Sequence, residues 1–283
     1  MNRPESHAVS AADRGVRPDA KSTNDEFERR PTLVRETYTP GYSEPTLRMM
    51  LKRTAARHAA FFTPVLHRGM RLLDCGCGPG TITLDLARLV SPGQAFGIDR
   101  EPTQVGFAQD LARHRQVGAW FGVASIYALP FADGQFDAVF AHALCEHLRE
   151  PHRALLEMKR VLRPSGLVGI RSPDWTGFLV YPQSPLLEQG IHLFKQIQIA
   201  NGGNPYVGRT LKGLLRESGF SQITLSASYE LFDDPASFVE WLASCLEAKG
   251  HTELRKKGRE LRAWSEHPDA LVAATWFEGL GAA

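Results

Sequence analysis

Charge of one sign, cysteine and long apolar runs are all scarce in this chain of 283 residues. Its 33 Lys and Arg stand against 31 Asp and Glu, a net charge of +2, too small for the one-signed field that a nucleic-acid or membrane-surface partner requires. A small-molecule partner is expected instead. Four cysteines, two of them one residue apart at Cys75 and Cys77, form neither a disulfide framework nor a paired zinc site. The ten histidines contain no H-x-x-x-H pair, so no metal is expected. No uncharged apolar run approaches the roughly 18 residues of a membrane span. Residues 1–31 carry twelve charged side chains and only Val9, Val16 and Phe27 as large apolar residues after Met1, which reads as a flexible tail and not as a signal peptide. These absences together predict a cytoplasmic protein. They leave its oligomeric state open.

What remains is ordinary globular composition, 43% hydrophobic and 23% charged, with enough chain for a substantial core. Helical spacing of Leu47, Met50, Leu51, Thr54, His58 and Phe61 predicts one helix from Pro45 to about Phe62. Met70–Asp74 then reads as a strand, followed by a glycine turn and a helix marked by Ile82, Leu86, Leu89 and Val90. Ala95–Asp99 is the next strand, and a helix starts near Pro102, a residue type that suits a first helical turn. Trp120–Ala124, Phe136–Ala141 and Leu167–Arg171 supply three further strands. Such alternation predicts a Rossmann-like, doubly wound and mostly parallel sheet with helices on both faces. After Ser172 the alternation breaks. Leu187, Gly190, Ile191, Phe194 and Ile197 share one helical face there and predict an inserted helical lid after strand 5. A helix ends at Gly219, Ile223–Tyr229 resumes as strand, and Leu271–Trp276 is a candidate terminal strand. The expected organisation is a tail over 1–31 and one domain over 32–283. Within that domain, 32–66 is an N-terminal helical cap, 67–172 the ligand-binding core, 173–208 the lid, and 209–283 C-terminal helices and edge strands.

The densest signal is Asp74-Cys75-Gly76-Cys77-Gly78-Pro79-Gly80, a glycine turn between strand and helix. Glycine there lets a nucleotide-like ligand approach the backbone at the strand's carboxyl end. Asp99, twenty-five residues beyond Asp74, ends the second strand, where a carboxylate can accept hydrogen bonds from both hydroxyls of a ribose. The dinucleotide fingerprint puts its third glycine at position 81, but this chain has Thr81 and places the glycine at 80. That disfavours an NAD(P)-dependent oxidoreductase. Asp74, just before the turn, suits a cationic group better than a phosphate.

With these residues the sequence resembles the class I S-adenosylmethionine-dependent methyltransferases, and among them the type 11 group that contains the ubiquinone and menaquinone biosynthesis enzymes. The likeness covers about residues 45–230. It also includes Ala128-Leu129-Pro130-Phe131-Ala132-Asp133-Gly134-Gln135-Phe136-Asp137, Glu146-His147-Leu148, and Arg160-Val161-Leu162-Arg163-Pro164-Ser165-Gly166. The resemblance implies S-adenosyl-L-methionine as donor and S-adenosyl-L-homocysteine as product. Asp74, Gly76 and Gly78 would hold the methionine part, Asp99 the ribose, and Ser125 with Ile126 the adenine edge; Cys77, Arg100, Ala141 and Tyr42 are further expected cofactor contacts. The family usually has an acidic residue where Ser125 stands. Methyl transfer needs mainly positioning and exclusion of water, plus a base where the acceptor bears a proton. His142 and His147, near the carboxyl edge of the sheet, are the catalytic candidates. Tyr38, Trp175, Phe194 and Arg209 are the substrate-binding candidates. The inserted helix, with Leu187, Ile191 and Phe194, fits a roof over a hydrophobic or aromatic acceptor and equally fits ordinary core formation; O- or C-methylation of a small, partly apolar metabolite is the expected reaction. A non-catalytic adenosyl-binding protein of the same fold is the remaining alternative.

Overall fold

The computed structural model describes residues 36–283; the expected tail at 1–31 and the first residues of the 32–66 cap lie outside them. The strands are β1 (Arg71–Cys75), β2 (Gln94–Asp99), β3 (Trp120–Val123), β4 (Phe136–His142), β5 (Leu162–Tyr181), β6 (Ser221–Leu231) and β7 (Leu271–Ala282). They form one sheet in the order β3-β2-β1-β4-β5-β7-β6. β1 pairs in parallel with both β2 and β4, while β7 is antiparallel to β5 and β6. The strand order reverses between β1 and β4, and the crevice at their carboxyl ends is where open α/β sheets bind ligands.

Helices cover both faces. They run as α1 (Glu44–Leu51), α2 (Ala55–His58), α3 (Thr81–Val90), α4 (Pro102–Arg115), α5 (Pro151–Val161), α6 (Pro185–Ala200), α7 (Leu211–Glu217), α8 (Pro235–Glu247), α9 (Glu253–Lys256) and α10 (Gly258–Ser265). Alternating residues of β4 enter opposite cores: Val139 and Ala141 pack with Leu155 and Met158 of α5, while Ala138 and Phe140 pack with Phe62 and Leu86. A third apolar cluster, with Trp175, Phe194, Phe238 and Leu242, joins the end of β5 to α6 and α8. No helix among the described residues is long and apolar enough to cross a membrane.

Three expectations need correction. The helix from 45 to 62 is two helices, because Thr54 is extended (φ −135°, ψ 155°) and caps α2, with its N–H donated to His58 Nδ1 at 3.1 Å. Strand 5 is twenty residues long, not five. It continues past Arg171 because β7 offers a partner up to Asp174 and again from Leu179 to Tyr181, so the expected lid begins as strand. The terminal strand runs on to Ala282 and lies inside the sheet, since it is paired on both sides, leaving β6 as the edge. Gly219 takes φ +80° just after α7, the left-handed position that favours glycine at a helix end.

Candidate active site

The turn after β1 is held against the end of β2. The N–H groups of Gly76 and Cys77 both donate to the Ile98 carbonyl, at 2.8 and 2.9 Å. Asp99 Oδ2 accepts from Gly78 N–H and its Oδ1 from Glu101 N–H, each at 3.0 Å. The carboxylate is thereby fixed at the rim beside the glycines. Gly80, at φ +79°, caps α3, and a Cβ on it would lie 2.8 Å from that of Ala108 on α4. Close packing of α3 against α4 is the physical reason for a glycine at 80.

Asp74 is buried at the foot of the turn, its Oδ2 accepting from Thr83 Oγ1 at 2.5 Å. Burial raises its pKa to about 7, against the opposing Thr83 bond and with a further push from Asp99. A buried carboxyl in that state is suited to receive a cation. Ser125 follows β3 at the same rim, just after Ala124 donates its N–H to the Asp99 carbonyl at 3.0 Å. The Ser125 hydroxyl accepts from Tyr127 N–H at 3.3 Å, and Ile126 is buried beside it. Tyr42 stacks on Tyr38 at 5.1 Å, and burial raises its pKa against the opposing effect of the neighbouring Arg100. The glycine turn, Asp99, Arg100, Ser125 and Tyr42 therefore share one edge. Two expected contacts do not reach out to it through their side chains: Ala141 is wholly in the core, and Cys77 is buried with its thiol pKa pushed well above the usual value by burial and by Asp74.

A cavity of about 370 Å³ adjoins this edge. Met50 lines it, with its Sδ 3.7 Å from where a Cβ on Gly78 would lie, so one wall touches the glycine turn. Tyr38, Trp175 and Phe194 line it as expected. Arg209 does not. It forms an ion pair with Asp174, Nη2 to Oδ1 at 2.8 Å, donates to Thr176, and remains 52% exposed on the outer surface.

The two histidines differ from expectation. His142 lies behind the wall, stacked on Trp276 at 4.9 Å and 5.1 Å from His58, and neither ring nitrogen has a partner among the described residues. Burial, with Arg53 and Arg171 nearby, pushes its pKa well below the usual value. His147 does line the cavity, edge-on to Tyr38 at 4.6 Å. Gln198 Nε2 donates to the Glu146 carbonyl at 2.9 Å and lies 3.4 Å from His147 Nδ1. That engages the lone pair of Nδ1 and puts the ring proton on Nε2, 3.8 Å from Glu146 Oε1. Burial, aided by Arg53 and Arg100, lowers the His147 pKa to about 3, which makes the ring a poor proton acceptor.

Sequence reasoning named Glu146 in a motif beside His147 but did not make it a catalytic candidate. It is buried in the cavity wall, its Oε2 has no hydrogen-bond partner among the described residues, and burial raises its pKa to about 7 against the opposing field of Arg53. A carboxylate of that basicity is matched to accepting protons near neutral pH. Also unforeseen was a buried polar chain, in which Glu230 meets His58 Nε2 at 3.1 Å and Arg171 at 3.0 Å, and Arg171 lies 4.2 Å over the Trp276 ring. Burial opposes ionisation of Glu230, but the bond from His58 and the charge of Arg171 prevail and hold its pKa at about 2.

The family described as "Methyltransferase domain" matches residues 73–170. An uncharacterized methyltransferase of Schizosaccharomyces pombe, C1B3.06c, is 33% identical over 192 residues, covering 64% of this chain and 68% of its own. O-methyltransferase resE of Aspergillus sclerotiorum is 27% identical over 210 residues, 73% of this chain and 75% of its own. Phosphoethanolamine N-methyltransferase 2 of Haemonchus contortus, solved with S-adenosyl-L-methionine, shares the fold with a TM-score of 0.51 at 17% identity, over 80% of this chain and 52% of the other. The chain belongs to the S-adenosylmethionine-dependent methyltransferases. It is an enzyme of that family, with the class I Rossmann-like fold.

Proposed function

We propose that this enzyme methylates a hydroxyl group on a small, partly apolar metabolite, with Glu146 as the base. The observation that carries the reading is a cavity that meets the glycine turn at Met50 and has in its wall Glu146, a buried carboxyl whose pKa burial raises to about 7. S-adenosyl-L-methionine supplies a methyl group already activated on a sulfonium, so the chain's own work is to hold, orient and deprotonate. Asp99 accepts from the ribose hydroxyls, and Gly76 with Gly78 leaves room for the methionine part along the turn. Asp74 balances its ammonium group. Ser125 and Ile126 border the adenine, the neutral hydroxyl taking the place of the usual acidic residue. These residues fit the donor, since the buried carboxyl of Asp74 at the turn has no cation beside it among the described residues and that of Asp99 at the rim is already oriented by two backbone donors. The Glu146 carboxylate takes the acceptor's proton, while His147, neutral and tied to Gln198, positions the Glu146 side and closes the cavity with Tyr38. Trp175 and Phe194 supply an apolar wall that excludes water. The name of resE, an O-methyltransferase, supports oxygen as the attacking atom.

Incubation of the protein with methyl-labelled donor and a metabolite extract, followed by mass spectrometry, tests this. One labelled product bearing a new methyl ether is expected. Label on nitrogen or on protein alone contradicts the reading.

Donor binding should also depend on pH. The Asp74 carboxyl must be ionised to face the ammonium group, and burial has raised its pKa to about 7. Affinity for S-adenosylhomocysteine is therefore full above that value and is lost as pH falls through it, by about tenfold per unit. Calorimetric titration between pH 5.5 and 8.5 reads both the affinity and the proton released. Affinity independent of pH would contradict the role of Asp74.

A further inference from the structure

The walls of the cavity are not uniformly apolar, and the charges on them are unequally satisfied. Trp175, Phe194 and Trp241 form an aromatic side, with ring centroids 4.5, 5.3 and 6.2 Å apart. Three cations also line it: Lys52 and Arg53, between α1 and α2, and Arg57 on α2. Lys52 lies 3.6 Å from Asp234 and Arg57 lies 2.6 Å from Asp233, so both are neutralised by acids of the same rim. Arg53 makes no ion pair among the described residues. The carboxylates that feel its charge are Glu146 and Glu230, and Glu230 is already held by Arg171 and His58. The break between α1 and α2 places Arg53 in the cavity wall.

We propose that Arg53 is an anion anchor, gripping a carboxylate on a flat, aromatic acceptor whose rings lie against Trp175 and Trp241. This deepens the methyl-transfer reading and rests on it. A guanidinium matches a carboxylate with two parallel N–H donors, and does so most strongly where water is scarce. The volume, about 370 Å³, accommodates two fused rings and their substituents and falls at the small end of ligand sites. A hydroxyl on the same ring system would then meet Glu146 on the wall shared with Tyr38 and His147. The donor's own α-carboxylate has the same chemistry, so the experiment has an arm for each source.

The probes are 1-hydroxy-2-naphthoate and its methyl ester, titrated into the protein saturated with S-adenosylhomocysteine and followed by quenching of tryptophan fluorescence. The acid should bind about tenfold tighter than the ester or better. Arg53→Gln should abolish that preference and leave affinity for S-adenosylhomocysteine within about twofold; Arg53→Lys should retain part of it, and Arg57→Gln should retain all of it. Several results would overturn the proposal: equal affinities in the wild-type protein, no binding of the acid, or a preference that survives in Arg53→Gln. A fall in S-adenosylhomocysteine affinity in a folded Arg53→Gln or Arg53→Lys protein would also overturn it, by giving the guanidinium to the donor. Binding of S-adenosylhomocysteine by the wild-type protein is measured separately, so failure here is distinguishable from failure of the methyltransferase reading.

Discussion

Glu146→Gln should lower kcat by about 10²–10⁴-fold, the usual contribution of a positioned general base, while leaving affinity for S-adenosylhomocysteine nearly unchanged. The amide keeps the shape of the carboxyl and removes its basicity. In the wild-type enzyme at saturating donor, the base must be ionised, and burial sets its pKa at about 7. kcat should therefore rise about tenfold per unit below pH 7 and level off above it. His147 cannot produce that limb, because its pKa lies near 3 and it is neutral throughout the range. Steady-state kinetics across pH 5.5–9 on the acceptor found by isotope transfer checks both points. A limb that persists in Glu146→Gln, or a kcat within about threefold of wild type, would remove Glu146 from the reaction.

Asp99→Ala should weaken S-adenosylhomocysteine binding by one to two orders of magnitude, since a charge-assisted hydrogen bond contributes about 1.5–3 kcal/mol. The loss has two parts. The ribose hydroxyls lose their acceptor, and the N–H groups of Gly78 and Glu101 lose the oxygens that fix the turn at 3.0 Å. Asp99→Asn separates them, because the amide oxygen still accepts from one backbone donor while the charge is gone. Calorimetry should place its affinity between those of wild type and Asp99→Ala. Unchanged affinity in Asp99→Ala would show that the ribose lies elsewhere.

The donor edge was legible because its signals are local. The glycines at 76, 78 and 80 and the acid at 99 sit at the ends of two short strands whose apolar runs are plain in the sequence, and β1 and β2 are neighbours. The cavity was less legible, because it is assembled from distant pieces. Arg53 enters through a helix break that depends on His58 accepting the Thr54 N–H. Trp175 arrives on the extension of β5 that only β7 makes possible, and Glu230 comes from the edge strand. His142 shows a signal that was present and went unused. Side chains alternate along a strand, so His142 shares the face of Ala138 and Phe140, which leads under α2 to His58 and Trp276. For Glu146 and His147 the sequence gives adjacency but not burial, and burial decides their chemistry: it raises the proton affinity of the acid and lowers that of the imidazole.

The most direct measurement is a crystal structure of the protein with S-adenosylhomocysteine. The ribose hydroxyls should lie within hydrogen-bond distance of Asp99, with the homocysteine tail along Gly76–Gly78 and the sulfur facing the cavity wall formed by Tyr38, Glu146 and His147. An adenosyl group bound at another edge of the sheet, or a sulfur turned away from that wall, would contradict the account.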